Sequence, residues 1–275
     1  PGLRIPDMFD AAIDGRVRAL YVMGEDIAQT DPDSTHVRAA LAACNLVVVQ
    51  EIFLSKTAQL ADVVLPAASF LEKDGTFVNF DRRFQRVRPA LRPPGQARTD
   101  FDIVNAVAAA LGADLGCPNP AAALAECAAV APLFAGVSHE RLDDQGALHW
   151  PCRSHDDPGE PTLYIDRFET PDGRAALGAR PYLPPGEQPD AKYPMLLVTG
   201  RRLEHYNAGT MTRRTANLVL LPTERLDLHP ADAARLDVRD GTEVVVSSRR
   251  GRLLVVHSRP SSARPGPASD SSSPT

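Results

Sequence analysis

The sequence predicts an α/β domain built on a parallel sheet, followed by a second domain that is mostly β. Three short apolar runs, at residues 18–23, 46–49 and 63–65, alternate with segments that have helix-compatible spacing. The second and third runs are continuous and rich in β-branched residues, which is typical of strands buried on both faces of a parallel sheet. Beyond residue 191 the pattern changes to strands with one short helix, and that pattern suggests a small β-barrel.

The remaining elements of the first domain follow from caps and turns. A helix is predicted over residues 35–43, with Asp33 or Ser34 as its N-cap, and a shorter one over residues 57–60. At Lys73 a turn leads into extended chain. A further helix, opened by Thr99 or Asp100, is predicted to bury one apolar face made of Phe101, Val104, Val107 and Leu111.

The middle of the chain is predicted to be an irregular connection with short helices, because Pro and Gly are frequent there. The dipeptide Trp150-Pro151 is expected to anchor this segment by packing. The second domain is predicted to contain strands at 195–198, 225–228, 243–248 and 252–256 and a helix at 230–236, with Gly251 in a hairpin turn. The predicted boundaries are 1–112, 113–190, 191–257 and a disordered tail at 258–275.

The amino-acid composition argues against two classes of protein, nucleic-acid binders and membrane-spanning proteins. The net charge of −5 argues against a general nucleic-acid binder, and no apolar run approaches the roughly 18 residues that span a membrane. No secretory segment is visible, so a cytoplasmic location is expected. The cysteines lack the spacing of zinc or iron–sulfur ligands, and they are interpreted as buried or incidental thiols: Cys44, Cys117, Cys127 and Cys152.

Two regions are predicted to bind a ligand. Ligands of open parallel sheets bind at the carboxyl ends of the strands, and the residues just past those ends are Gly24-Glu25-Asp26, Gln50-Glu51 and Pro66-Ala67-Ala68. The second region, residues 199–214, follows an apolar run and clusters small, hydroxyl, Arg and His residues, so it could hold an anion or be a solvated basic loop. The residues themselves indicate binding without a catalytic group, since no triad, metal set or carboxylate pair stands out.

Several motifs in order resemble the molybdopterin oxidoreductase family, especially the catalytic subunits of formate dehydrogenases. They include Met23-Gly24-Glu25-Asp26, Val48-Val49-Gln50-Glu51-Ile52-Phe53, Glu72-Lys73-Asp74-Gly75-Thr76-Phe77-Val78-Asn79, Arg82-Arg83-Phe84-Gln85 and the string from Thr199 to Arg214. The resemblance covers residues 1–257. It implies a Rossmann-like parallel-sheet nucleotide-binding domain followed by an incomplete double-psi β-barrel, the molydopterin dinucleotide-binding domain.

The resemblance also implies the cofactor, a bis-molybdopterin guanine dinucleotide (bis-MGD) that carries Mo or W. Carboxylates suit guanine, whose N1–H and N2 amino group are adjacent donors, and Lys73 would contact phosphate. His205 is more readily a hydrogen-bonding or structural residue than a base. The implied cofactor-binding residues are Gly24, Glu25, Gln50, Glu51, Lys73, Asp100, Thr199, Gly200, Arg201, Arg202, Leu203, Glu204, His205, Tyr206, Asn207, Ala208, Thr210 and Thr212.

By the same resemblance, the metal ligand and the [4Fe–4S] cysteines belong upstream of Pro1, and this portion by itself is expected to be inactive. The family pattern is expected to stop at His257, and the hypothesis is a chain truncated at both ends, with a tail from a shifted reading frame. The intact enzyme would oxidise formate to CO2 and pass electrons to partner subunits. Two alternatives stay open: a nitrate reductase of the same superfamily, and a non-catalytic module that binds a pterin or guanine nucleotide.

Overall fold

The computed structural model describes residues 2–258 and divides the chain into two compact units, Pro1–Ala179 and Arg180–Thr275. The division falls inside the predicted connecting segment 113–190, whose own boundaries remain a prediction. The predicted disordered tail lies outside the described residues except for Ser258, which is the last residue of a strand. Each unit is described separately below.

A three-stranded parallel sheet forms the base of the first unit. Its strands are β1 (Ala19–Met23), β2 (Leu46–Glu51) and β3 (Val63–Pro66), in the order β1–β2–β3. The predicted strands and their parallel direction are therefore confirmed. The expectation of burial on both faces holds for the end of β2, where the neighbouring residues Val49 and Gln50 point to opposite faces and are both buried. It is wrong for β3, because that strand lies at the sheet edge with Val63 and Val64 exposed.

Three helices cover this sheet: α1 (Ile5–Ile13), α2 (Ile27–Thr30) and α3 (Ser34–Ala43). The core joins Phe9 of α1 to Val37 and Leu41 of α3 and to Val47 and Val49 of β2. The predicted start of α3 is confirmed, since the carboxylate of its N-cap accepts a hydrogen bond from the His36 N–H at 3.2 Å. The N-cap is Asp33, in the left-handed region at φ 57°. Helix α1 was not predicted.

An antiparallel sheet and three more helices complete the first unit. The strands are β4 (Gly75–Val78), β5 (Arg83–Val87) and β6 (Ala147–His149), and the helices are α4 (Asp100–Ala110), α5 (Pro120–Val130) and α6 (His139–Gln145). Thr99 caps α4 as predicted. The predicted buried face of α4 is wrong: Ile103 is buried, whereas Val104 and Leu111 are exposed. Strand β6 was not predicted, because three residues are too few to show an alternation of apolar and polar side chains.

The predicted anchoring by Trp150 is confirmed. Its ring packs edge-on against Phe134 with centroids 5.7 Å apart, and Phe134 packs in turn against Phe84 of β5 at 5.2 Å. The peptide bond between Trp150 and Pro151 is cis. The guanidinium of Arg82 lies over the Trp150 ring and donates to the Glu160 carbonyl at 3.0 Å. The segment after β6 is thus held against the antiparallel sheet.

Arg141 of α6 is a second anchor of that segment. It is only 5% exposed and donates to the carbonyls of Gly136 (2.6 Å), Ser154 (3.2 Å) and Asp157 (2.9 Å). The Cys152 sulfur, fully buried, lies 3.3 Å from the same guanidinium. One side chain of α6 therefore donates to three carbonyl groups of irregular backbone and holds that backbone in place.

Asp157 adds a pH-dependent contribution to the same segment. Its carboxylate accepts from the N–H groups of Arg153 (2.7 Å) and Gly159 (2.8 Å), and these bonds hold its pKa below the usual value. Because the folded pKa is lowered, the stabilisation is present above the unfolded pKa and is lost as the pH falls through the folded pKa. We expect Asp157→Asn to flatten the fall in Tm between about pH 5 and about pH 2, measured by thermal denaturation. Asp156→Asn is the matched control; an equal flattening in both variants would contradict the assignment.

The second unit contains β7 (Arg225–Asp227), β8 (Glu243–Ser247) and β9 (Arg252–Ser258), with helices α7 (Asn217–Leu220) and α8 (Pro230–Arg235). The sheet order is β7–β9–β8, with β7 parallel and β8 antiparallel to β9. The predicted hairpin and the helix that opens with Pro230 are confirmed.

The strand predicted at residues 195–198 is wrong. These four residues pair with no strand in the described part of the chain, and their side chains are 44–78% exposed. Their sequence, Met-Leu-Leu-Val, has the composition of a buried strand. A strand, however, exists only where a neighbour accepts its backbone hydrogen bonds, and composition cannot supply that neighbour.

Candidate functional site

A chain of four polar side chains lies at the carboxyl end of the parallel sheet in the first unit. The Tyr21 hydroxyl donates to the Gln50 Oε1 atom, and the Gln50 Nε2 atom donates to the Asp100 Oδ1 atom at 2.7 Å. The Asp100 Oδ2 atom accepts from the Lys73 ammonium. The fold thus connects three of the predicted site residues, from β2, from the turn before β4 and from the first turn of α4.

Gln50 occupies the interior of this chain. It is fully buried, and both polar atoms of its amide have protein partners. The resemblance predicted Gln50 as a cofactor contact, a prediction that stays untested. In this structure the amide of Gln50 donates a hydrogen bond to Asp100. Lys73 and Asp100 form the exposed end of this series of hydrogen-bonded side chains.

Tyr21 was missed by sequence reasoning. It lies inside an apolar strand, where its hydroxyl must find a partner, and that requirement is the signal that could have indicated it. Burial raises the pKa of the Tyr21 hydroxyl, and the negative charge of Asp100 raises this pKa further. The phenol therefore stays protonated and able to donate at neutral pH.

Lys73 and Asp100 line a cavity of about 310 Å³. Phe77 and Phe101 contribute apolar walls, and Thr99 adds a hydroxyl group near the start of α4. The Lys73 ammonium lies 6.0 Å from the centroid of the Phe77 ring. The volume is at the lower end of the range of roughly 300–1,000 Å³ for small-molecule sites, and the walls combine apolar and charged groups as such sites do.

The other predicted residues of this edge lie in the turns after β1 and β2. Gly24 has φ +66°, and its N–H donates to the Gln50 carbonyl at 2.9 Å. A side chain at Gly24 would meet no heavy atom within 4 Å, so the backbone conformation and not space favours glycine. Glu25 is exposed and accepts from the Thr30 hydroxyl at 3.2 Å; Glu51 accepts from the Ile52 N–H at 2.7 Å.

Asp26 joins the loops after β1 and β2; it was predicted to lie at the ligand-binding edge but was not among the predicted cofactor contacts. It is 4% exposed, and its carboxylate accepts from the Thr57 N–H at 2.8 Å, the Thr57 hydroxyl at 2.7 Å and the Lys56 N–H at 3.3 Å. The Thr57 hydroxyl accepts in turn from the Ala28 N–H at 3.0 Å. The carboxylate therefore fixes the loop after β1 to the loop after β2, on either side of the polar edge.

In the second unit, His205 organises the predicted loop at residues 199–214. It is 6% exposed; its Nε2 atom lies 2.8 Å from the Leu221 carbonyl and its Nδ1 atom 3.1 Å from the Thr212 hydroxyl. A carbonyl accepts only, so Nε2 carries the proton and donates. The Thr212 oxygen also accepts from the Tyr206 N–H at 3.2 Å, which leaves its own proton for Nδ1. This arrangement suits a loop anchor and not a base.

Some of the other residues in that loop form hydrogen bonds or ion pairs within the second unit, and the others are exposed. Arg202 pairs with Asp227 at 3.1 Å, the Glu204 carbonyl accepts from Asn217, and the Thr210 carbonyl accepts from the Arg214 Nε atom at 3.1 Å. The residues that face outward from this unit are Thr199, Gly200, Arg201, Leu203, Tyr206, Asn207 and Ala208. The loop therefore presents small residues and a guanidinium from a backbone held by His205 and Arg202.

The described residues, 2–258, contain no group of three or more His, Cys, Asp or Glu side chains placed to hold a metal ion. Cys44, Cys117, Cys127 and Cys152 are all free thiols. In the same residues no helix combines the length and apolar character that crossing a bilayer requires.

The parallel sheet carries Gln50 at its carboxyl edge, and Gln50 links that edge to Asp100 and Lys73, which line the cavity. Ligands of open α/β sheets bind at this edge, so the fold and the site define an α/β protein with a candidate ligand site. The comparisons with known proteins narrow this class. Residues 1–110 match the family model for molybdopterin oxidoreductases, and residues 195–269 match the model for the molydopterin dinucleotide binding domain. The chain belongs to the molybdopterin oxidoreductase family, whose cofactor is a molybdopterin. The second match runs past His257, where the resemblance was expected to end.

Relatives with curated descriptions support the same family. The chain is 45% identical over 257 residues to the F420-dependent formate dehydrogenase 1 subunit alpha of Methanococcus maripaludis, covering 92% of this chain and 38% of that protein. It is 36% identical to formate dehydrogenase H of Escherichia coli, covering 92% of this chain and 36% of that protein. The chain thus spans less than two fifths of the length of these relatives.

A solved structure shows the same fold. Acetylene hydratase from Pelobacter acetylenicus matches with a TM-score of 0.71 at 19% identity, over 92% of this chain and 37% of that chain. At this level of identity the likeness concerns the fold alone.

Proposed function

We propose that this chain is the cofactor-binding C-terminal portion of a formate dehydrogenase catalytic subunit, which oxidises formate to CO2 and passes the electrons to partner subunits. The single observation that carries the proposal is the identity of 36–45% to formate dehydrogenases over 92% of the chain. The proposed cofactor is bis-MGD with Mo or W, and the proposed [4Fe–4S] ligands belong to parts of the enzyme outside this chain.

The residues of the first unit fit the guanosine end of such a cofactor. A carboxylate can accept the N1–H and N2 amino donors of guanine in parallel, and Asp100 or Glu25 could supply it. Lys73 would place its ammonium on a phosphate group, and Gly24 would let a backbone turn approach the ligand. When bound, the cofactor supplies the redox chemistry of its metal; the residues of this chain bind and orient it.

The loop of the second unit is proposed to hold the pyrophosphate and pterin. Support comes from its exposed small residues and from Arg201, all carried by a backbone that His205 anchors. The proposed fold of this domain is a double-psi β-barrel. Its mixed sheet of β7, β9 and β8 and the exposed apolar residues 195–198 support that architecture, because those side chains would be buried inside a closed barrel.

The nucleotide part of the proposal is tested with guanosine 5′-monophosphate (GMP) and the adenosine analogue (AMP) by isothermal titration calorimetry on the 275-residue chain. We expect GMP to bind more tightly than AMP. Lys73→Met should weaken GMP binding about tenfold, since a hydrogen bond to a charged group contributes about 1.5 kcal/mol.

Lys192→Met is the matched control, because that ammonium lies near Tyr193 in the other unit. Equal affinity for the two nucleotides, or no binding of either, would overturn the guanosine assignment. The formate part is tested on the full-length enzyme purified from its host, by formate-dependent reduction of a viologen dye. Reduction of nitrate without formate oxidation would favour the nitrate reductase alternative.

A further inference from the structure

We infer that Tyr21 is a positioning residue that sets the guanine-over-adenine selectivity of the nucleotide site by fixing the amide of Gln50. The inference rests on the proposed function and names the residue that controls base choice at that same site. The observation behind it is the hydrogen-bonded chain Tyr21–Gln50–Asp100, whose central member, Gln50, is fully buried.

The Tyr21 hydroxyl and the Asp100 carboxylate together hold the Gln50 amide in one orientation. An amide side chain has one accepting end and one donating end of nearly equal shape, so a symmetric environment would let it flip. The Asp100 carboxylate can only accept, so the Nε2 donor faces it at 2.7 Å, and the phenol donates to the Oε1 atom at the other end of the amide. Gln50 is fully buried, so water cannot replace either partner.

The orientation of the amide in turn fixes the plane of the Asp100 carboxylate. One carboxylate oxygen accepts from Gln50 and the other from Lys73, so both donors hold the group from the protein side. The remaining lone pairs of the two oxygens stay available to a ligand in the cavity that Asp100 lines. A carboxylate held in this way accepts two parallel N–H donors, which guanine presents on one edge and adenine does not.

Loss of the Tyr21 hydroxyl would weaken the contact to the guanine base and leave the contact to the phosphate unchanged. Without this donor, the buried Oε1 atom of Gln50 would have no partner, and the amide would be held from the Asp100 end alone. The bond from Gln50 would then fix the carboxylate less firmly, whereas the ammonium of Lys73 would remain. The Tyr21 side chain is 43% exposed and the ring is retained in phenylalanine, so the core packing of the sheet changes little.

The test compares Tyr21→Phe with the unchanged chain by titration calorimetry, using GMP and AMP as probes. We expect Tyr21→Phe to weaken GMP binding about fivefold, the effect of one hydrogen bond, and to leave AMP binding unchanged. Tyr164→Phe is the matched control, since that ring stacks on Phe168 in the same unit. An unchanged ratio of the two affinities in Tyr21→Phe would overturn the inference.

A second variant separates positioning from general destabilisation. Gln50→Met removes the amide, and the double variant Tyr21→Phe/Gln50→Met should lose no more selectivity than Gln50→Met alone, because both changes break one chain. Additive losses in the double variant would contradict a single chain. If the unchanged chain prefers GMP and only these variants behave otherwise than expected, the inference fails while the proposed function stands; if the unchanged chain shows no preference, both fail.

Discussion

Replacement of Arg141 by methionine is expected to lower the free energy of unfolding of the first unit by about 3 kcal/mol, because a buried guanidinium that donates to three carbonyl groups would be lost. Methionine keeps much of the apolar stem but donates nothing. The carbonyls of Gly136, Ser154 and Asp157 all accept from this guanidinium. Urea denaturation followed by the fluorescence of Trp150, the only tryptophan in the chain, measures the change where it occurs.

Two further variants sharpen that measurement. Arg141→Lys keeps the charge but cannot reach all of the carbonyls at once, so we expect a loss between those of the methionine variant and zero. Arg153→Met is the matched control, because Arg153 is exposed and its ion pairs with Glu160 and Glu169 lie at the surface. A midpoint for Arg141→Met that coincides with the control would show that Arg141 does not anchor the segment.

Replacement of Asp26 by alanine is expected to cost about 3 kcal/mol, because three donors on Thr57 and Lys56 would lose one charged acceptor. The loops after β1 and β2 should then separate. Hydrogen exchange of the Thr57 amide is the local measurement, and it should speed up in step with the loss of stability measured by urea denaturation.

Asp26→Asn separates hydrogen bonding from charge in this cluster. Asparagine keeps one accepting oxygen, so we expect a smaller loss, about 1 kcal/mol. Glu25→Ala removes the adjacent, exposed carboxylate and should change stability by less than about 0.5 kcal/mol. If the alanine variant at Asp26 exchanged its Thr57 amide as slowly as the unchanged chain, the carboxylate would not be what holds the two loops together.

Local sequence patterns determined most of the secondary structure. The runs that became β1, β2 and β3 are short and apolar, the last two are rich in β-branched residues, Asp33 precedes a helical pattern, and Gly251 interrupts two strand-like runs. Each of these signals lies within a few residues of the element it specifies. Family resemblance, carried by motifs in order, added the candidate site and the molybdopterin cofactor.

Local patterns failed where the outcome depended on a distant partner. Residues 195–198 have strand composition but no paired neighbour, whereas β6 has little pattern and pairs with β5. The face that α4 buries was mistaken for the same reason, since Ile103 and not Val104 meets the rest of the unit. Composition states what a segment could pair with or bury, and packing decides whether it does.

Only the tertiary structure decided the role of each polar side chain at the two sites. Tyr21 meets Gln50 across 29 residues of sequence, Gln50 meets Asp100 across 50, and Lys73 meets Asp100 across 27. A buried hydrogen-bonding group must be satisfied, but any donor that the fold brings near can satisfy it. The sequence by itself therefore determined the family, the parallel sheet and the residue types available for the site. The fold decided that Gln50 and His205 face inward as supports and that Lys73 and Asp100 line the cavity, because the choice of partner is set by packing between distant elements.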